Sequence, residues 1–258
     1  MFPDYYDDQF LERLFNLFKY PETITPTQIF YEMLVYILAA VLIYHGFKKY
    51  GRWKTLLFFF GSFFYTGFEE NIMIISGRVV PAIIPEFPAT YAFNYQNYVL
   101  WIFAVPFVVF VAWFVVAYSA VHIAFYFFKT GIWRQAALGG LLAMEMDMFI
   151  DPVAVRYMWW SWFAGEGDAI WILGDPSIPN LGIPISNFLG WFALIFLFAI
   201  YWKKITDREE KWGVRKCTIV FSLGLIPLLF GTVFLLGGLT IALSPLNGVY
   251  FPIPFGGA

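Results

Sequence analysis

Six acidic side chains interrupt stretches that are otherwise apolar enough to cross a membrane: Glu32, Glu69, Glu70, Glu145, Asp147 and Asp151. Carboxyl groups are natural general acids and bases. At the centre of a membrane helix each costs about 2.5–3.5 kcal/mol on insertion scales, so it faces a cavity or a partner. Asp147 and Asp151 are four residues apart and share one helix face. Glu69 and Glu70 point about 100° apart and cannot share one inward direction equally. Pro152 biases Asp151 away from helical geometry, which predicts that the helix ends there. Glu70 lies sixteen residues beyond Lys54, and Asp147 and Asp151 lie thirteen and seventeen beyond Arg134. At 1.5 Å per residue these rises are about 24, 20 and 26 Å. Two separate helices therefore bring carboxyl groups to one depth. Clustered in a low dielectric they cannot all ionise, and one that keeps its proton meets the requirement of a general acid. For Glu69 and Glu145 the ordinary reading is favoured, a helix-end residue reaching water or capping a loop. Glu32 reads as interfacial.

Metal and redox chemistry find little support in the residue pattern. The two histidines, His45 and His122, belong to the opposite halves of their spans, and no Glu-x-x-His pair is present. The single cysteine, Cys217, excludes an internal disulfide framework and a cysteine metal cluster. No Gly-x-Gly-x-x-Gly or phosphate loop opens a helix. The expectation is chemistry with no metal and no cofactor.

The elements that position the acids follow from composition. Of 258 residues, 60% are hydrophobic, 23% aromatic and 13% charged, against about 25% charged in a soluble domain. The net charge of −2 leaves no basic field for a nucleic-acid partner. We therefore expect an all-α, polytopic membrane helical bundle forming one integral-membrane domain over residues 1–258. About six transmembrane helices are predicted, near 28–47, 55–75, 99–128, 134–150, 187–202 and 218–243. The bundle occupies 27–243, after an N-terminal segment 1–26 and before a tail 244–258. Met1 to Tyr20 is acidic and aromatic, unlike a signal peptide. Within it, residues 3–20 set Phe10, Leu11, Leu14, Phe15, Leu17 and Phe18 largely on one face, as an interfacial amphipathic helix or an ordinary packed one.

Twelve of sixteen Lys and Arg lie in alternate connections: Lys48, Lys49, Arg52 and Lys54; Lys129 and Arg134; Lys203, Lys204, Arg208, Lys211, Arg215 and Lys216. The positive-inside rule makes these cytoplasmic and puts both termini on the outer side of a cell membrane. The two main outer connections, 76–98 and 151–186, are rich in Pro, Gly and aromatics and nearly as apolar as the spans. Pro and Gly stop them from being continuous helices. Non-helical backbone at membrane depth must be buried in protein or line a cavity, so a folded lid over the bundle's mouth is expected.

The run MDMFIDP (146–152), then WWSW (159–162), then LGIPISNFLGWF (181–192) resembles the integral-membrane carotenoid biosynthesis family, which includes carotenoid hydratases. The family's Asp-x-x-x-Asp-Pro falls on Asp147, Asp151 and Pro152. Its Gly-[Val/Ile]-Pro-x-Ser-Asn-Phe-x-Gly-Trp falls on Gly182, Pro184, Ser186, Asn187, Gly190 and Trp191. Upstream, a Glu seven residues before a Gly fits Glu70 and Gly77, and further matches fall on Val105, Pro106, Trp113 and Tyr118. The resemblance covers about residues 64–202. Met73 and Asn180 depart from it, and the outer connections look expanded around 78–90 and 163–179.

The resemblance implies hydration of a terminal isoprenoid double bond: protonation, a tertiary carbocation, then capture by water. Asp147 or Asp151 would donate the proton and Glu70 would position water. Trp160, Trp162, Trp191 and Tyr91 would line a polyene groove, and Asn187 would orient the acid or the water. The expected partners are a carotenoid or other long isoprenoid, membrane lipids, and an oligomeric or membrane-complex partner. Two other readings stand beside it, a non-catalytic carotenoid- or lipid-binding subunit and a proton-coupled transporter. The transporter ranks last because no internal repeat is visible.

Overall fold

The computed structural model describes residues 18–19, 24–79, 91–162, 171–172, 183–243 and 250–251. Thr25 opens the first helix, α1 (Pro26–Tyr50), with a reciprocal capping box to Gln28. Pro26 is pre-set for the first helical position, and Lys48 and Lys49 in the last turn complement the helix dipole. Gly51, at φ 84°, turns the chain at once into α2 (Arg52–Val79). A left-handed residue is needed there, and glycine takes it without steric cost.

The remaining helices are α3 (Phe107–Phe127), α4 (Ile132–Arg156), α5 (Ile185–Thr206) and α6 (Glu209–Leu243), the last broken by Gly213 at φ 72°. Among the described residues four stretches are long and apolar enough to cross a membrane: Pro26–Tyr50, Phe107–Phe127, Ile185–Thr206 and Glu209–Leu239. The other two helices, α2 and α4, are 28 and 25 residues long. They carry five of the six acids, which lowers their hydropathy.

Aromatic side chains dominate the shared core. Phe58, Tyr65, Phe114, Phe198 and Phe221 are almost wholly buried, and Phe58 meets Phe198 edge-on with ring centroids 5.0 Å apart. Helices α4 and α5 approach closely at Gly140, where a Cβ would stand 2.7 Å from the Phe192 carbonyl oxygen. Large apolar residues such as Phe30, Ile37, Phe149, Leu223 and Phe234 face outward, as expected of a bundle solvated by lipid.

Short strands cover one end. Strand β2 (Tyr91–Phe93) pairs antiparallel with β5 (Trp160–Trp162), setting Tyr91 opposite Trp162 and Phe93 opposite Trp160. The Asn94 N–H donates to the Trp159 carbonyl at 2.9 Å, and Asn97 Nδ2 donates to the Met158 carbonyl at 2.8 Å. Strand β1 (Phe18–Lys19) pairs with β3 (Trp101–Ile102), which pairs with β4 (Val105–Pro106). Strand β6 (Trp171–Ile172) lies between β7 (Ile183–Pro184) and β8 (Tyr250–Phe251).

Several expectations change. The third span does not begin at 99: residues 101–106 form the β3–β4 pair, and helix starts only after Pro106, which has no N–H to continue a strand ladder. The fourth helix does not stop at Asp151 but runs through Pro152 to Arg156. A proline this near the end forfeits one ladder bond, and the last turn closes through Tyr157 N–H to the Val153 carbonyl. Phe18 and Lys19 extend as a strand and do not continue the helix expected over 3–20; the rest of that segment lies outside the described residues, as do most of the expanded connections. Glu32, near the outer end of α1, is covered by protein: it accepts from the Val99 N–H at 2.6 Å and the Tyr36 hydroxyl at 2.9 Å.

Candidate functional site

Four helices and the β2–β5 ladder build one site around the acids. Glu70 on α2 and Asp151 on α4 both line a pocket of about 110 Å³. Its walls are Val109, Ala112, Trp113 and Val116 from α3, Ile150 from α4, and Asn187 and Trp191 from α5. Tyr91, Phe93, Trp160 and Trp162 close it from the ladder. Every pocket-lining or acidic residue singled out from the sequence as a site residue is thus either on this wall or, in the case of Asp147, directly behind it.

Each carboxyl group is held by donors from other elements. Glu70 accepts from Trp113 Nε1 at 2.9 Å through Oε1 and from the Tyr91 hydroxyl through Oε2. Asp151 accepts from Trp160 Nε1 at 2.7 Å through Oδ1. The single amide Nδ2 of Asn187 donates to Asp147 Oδ2 and to Asp151 Oδ2, at 2.6 Å each. One NH₂ group carries two hydrogens, so this one side chain ties the pair together. Asn187 sits in the first turn of α5, whose dipole favours negative charge at that position.

The two aspartates are not equivalent. Asp151 faces the pocket, whereas Asp147 is fully buried and its Oδ1 finds no hydrogen-bond partner among the described residues. Acceptor capacity is therefore left over on the buried Asp147 carboxyl.

The other acids separate cleanly. Glu145 is exposed on α4. Glu69, expected to reach water or cap a loop, is instead buried, and no pocket-lining role falls to it. It shares its helix face with Tyr65, whose hydroxyl pairs with Thr232 at 2.7 Å.

Sequence reading matched Trp113 only through a resemblance and assigned it no role, yet it is the indole that holds Glu70. Val109, Ala112, Trp113 and Val116 have the i, i+3, i+4, i+7 spacing of one helix face. That signal is drowned because α3 is apolar all the way round. Among the described residues no three His, Cys, Asp or Glu side chains are grouped to hold a metal ion.

A family model described as carotenoid biosynthesis protein matches residues 28–256. The match extends well beyond the stretch that carried the resemblance, taking in α1 and α6. No curated protein and no solved structure matches the chain.

Proposed function

Because this chain belongs to the carotenoid biosynthesis protein family, we propose that it adds water across a terminal isoprenoid double bond of a carotenoid, giving a tertiary alcohol without a redox cofactor. The observation that carries this reading is the pairing of Glu70 and Asp151 on the wall of one aromatic pocket, each held by an indole N–H.

Asp151, in its protonated form, delivers its proton to the less substituted carbon of the double bond. The electron pair of that bond forms the new C–H bond, and the positive charge falls on the carbon bearing two methyl groups. A tertiary cation is stabilised by the faces of aromatic rings, and Trp113, Trp160, Trp162, Trp191, Tyr91 and Phe93 supply them. Water held by the Glu70 carboxylate adds to the cation and gives up a proton to that carboxylate. Return of the proton from Glu70 to Asp151 restores the starting state, so atoms and charge balance over the cycle. Asp147 and Asn187 act through Asp151 as positioning residues. Asn187 fixes both carboxyls, and the buried Asp147 discourages a second negative charge beside it.

The test is expression of the full chain in a cell that accumulates an acyclic carotene such as lycopene, with mass analysis of the pigments. A product heavier by one water supports hydration. Loss of that product in Asp147→Asn and Asp151→Asn, with membrane levels retained, assigns it to these carboxyls. An unchanged hydrated product in both variants rejects the enzymatic reading in favour of a binding subunit.

A further inference from the structure

Away from the acids, the three basic connections meet at one end of the bundle. Lys54 of α2 pairs with Glu209 of α6 at 2.9 Å, and the Lys204 ammonium of α5 stands 5.3 Å from the centre of the Trp133 ring of α4. Twelve Lys and Arg side chains gather there against three carboxylates, Asp207, Glu209 and Glu210. Two of the three are already engaged, Asp207 by Lys203 and Glu209 by Lys54. Like charges this concentrated repel one another, and the excess is complementary to an anionic partner.

The excess is densest at the elbow between α5 and α6. Arg208, Lys211, Arg215 and Lys216 lie within nine residues, are exposed, and have no carboxylate partner among the described residues. The break at Gly213 falls between them. Both sides of that break are fastened to α2: Glu209 by Lys54, and Thr218 by Trp53 Nε1, which donates to its hydroxyl at 2.9 Å. Trp212 takes the Arg208 guanidinium 4.7 Å and the Lys216 ammonium 5.3 Å from its ring centre. The cations are thus presented from a fixed frame.

The neighbours of the elbow identify the partner. Directly beyond Gly213 the outer face of α6 becomes apolar, with Val214, Ile219 and Leu223 exposed by 44%, 50% and 64%. At the same end of α1 and α3, exposed rings carry a lysine over each: Lys48 over Tyr44 and Lys129 over Tyr126. Aromatic rings and cations together mark the boundary between hydrocarbon and water. A partner that meets these cations and also covers the apolar face beside them has an anionic head and a hydrocarbon tail. We infer that the α5–α6 elbow binds the phosphate of an anionic phospholipid headgroup, with its acyl chain along Val214, Ile219 and Leu223. Arg208 and Arg215 are the principal phosphate partners, because a guanidinium fork matches phosphate oxygens two at a time. The binding is independent of the hydration chemistry.

The test titrates the full chain, in a non-ionic detergent, with phosphatidylglycerol or phosphatidylcholine and reads bound lipid by native mass spectrometry. Both lipids carry a phosphate, but the choline ammonium cancels its charge. Each cation near an anionic lipid is worth about 5-fold in affinity, so two predict a preference for phosphatidylglycerol of about 25-fold. Arg208→Gln with Arg215→Gln should bring that preference towards unity, while Arg208→Lys with Arg215→Lys should retain most of it. Lys48→Gln with Lys129→Gln removes as much charge from the same end and should change it less. Equal binding of the two lipids overturns the inference. So does an equal loss in the two glutamine pairs, which describes a diffuse field and no site. Displacement of phosphatidylglycerol by inorganic phosphate at matched concentration rejects a lipid in favour of a free anion. Salt supplies a measurement on the unaltered chain: raising ionic strength should weaken phosphatidylglycerol binding and spare phosphatidylcholine, and a preference insensitive to salt rejects the site even where a variant fails to fold.

Discussion

Polar side chains meet inside this bundle at two ends, and the two meetings are built differently. At the end rich in Lys and Arg, His45 Nδ1 and the Tyr118 hydroxyl are 2.8 Å apart, as are the Tyr50 hydroxyl and His122 Nδ1. These are one-to-one pairs between α1 and α3, packed with ring centroids of 4.7 Å between the histidines and 5.9 Å between Tyr118 and His122. None of the four residues lines the acid pocket. At the lid end, four donors from α3, α5 and the β2–β5 ladder serve three carboxyls around that pocket, and acceptor capacity is left over. Closed pairs stabilise helix packing. A pocket walled by two carboxyls, with a third buried behind them, is suited to act on something that enters it.

The sharpest way to break this contrast is at the pocket. Asp151→Asn removes the proposed proton donor while preserving shape, and hydrated product should fall by at least about 100-fold, within the usual range for general acid catalysis. Liquid chromatography of extracted pigments checks it; near-normal product would place the chemistry elsewhere. Trp160→Phe keeps an aromatic face but deletes the N–H that holds Asp151. Hydrogen bonds to charged groups are worth about 1.5–3 kcal/mol, so a loss of roughly 10-fold or more in kcat is expected, with KM little changed.

Smaller effects should come from the other end. His45→Phe breaks a closed pair far from the pocket, and the cost should be about 1 kcal/mol of stability, seen as a lowered melting temperature in detergent. Hydration per folded molecule should not change; a tenfold fall would show that the two ends are coupled. Glu145→Gln, on the exposed face of α4, should alter neither quantity measurably. Any pigment phenotype there would mean that exposure is a poor guide to which acids matter.

How much of the site was legible follows the same line. Glu70, Asp147 and Asp151 stood out because a carboxyl is expensive in an apolar span, and counting residues from the basic ends gave them a common depth. The four-residue spacing of the aspartates survives because α4 continues through Pro152, against the local bias of that proline. Their partners were less visible. Asn187 was named only through the resemblance and Trp113 was matched without a role, because donors separated from their acceptors by 43, 40 and 36 residues leave no local trace. Glu69 and Glu32 show the converse failure: composition marks them as costly but does not tell a buried structural acid from one that lines a pocket.

By itself, the sequence determined that this chain folds as apolar helices with acids at matched depth, because hydrophobic length, charge cost and helical rise are local quantities. Only the tertiary structure decided which acid faces the pocket, which indole holds it and how large the pocket is. Those depend on helix rotation and on the pairing of β2 with β5, and both are settled by side-chain packing between segments far apart in the chain.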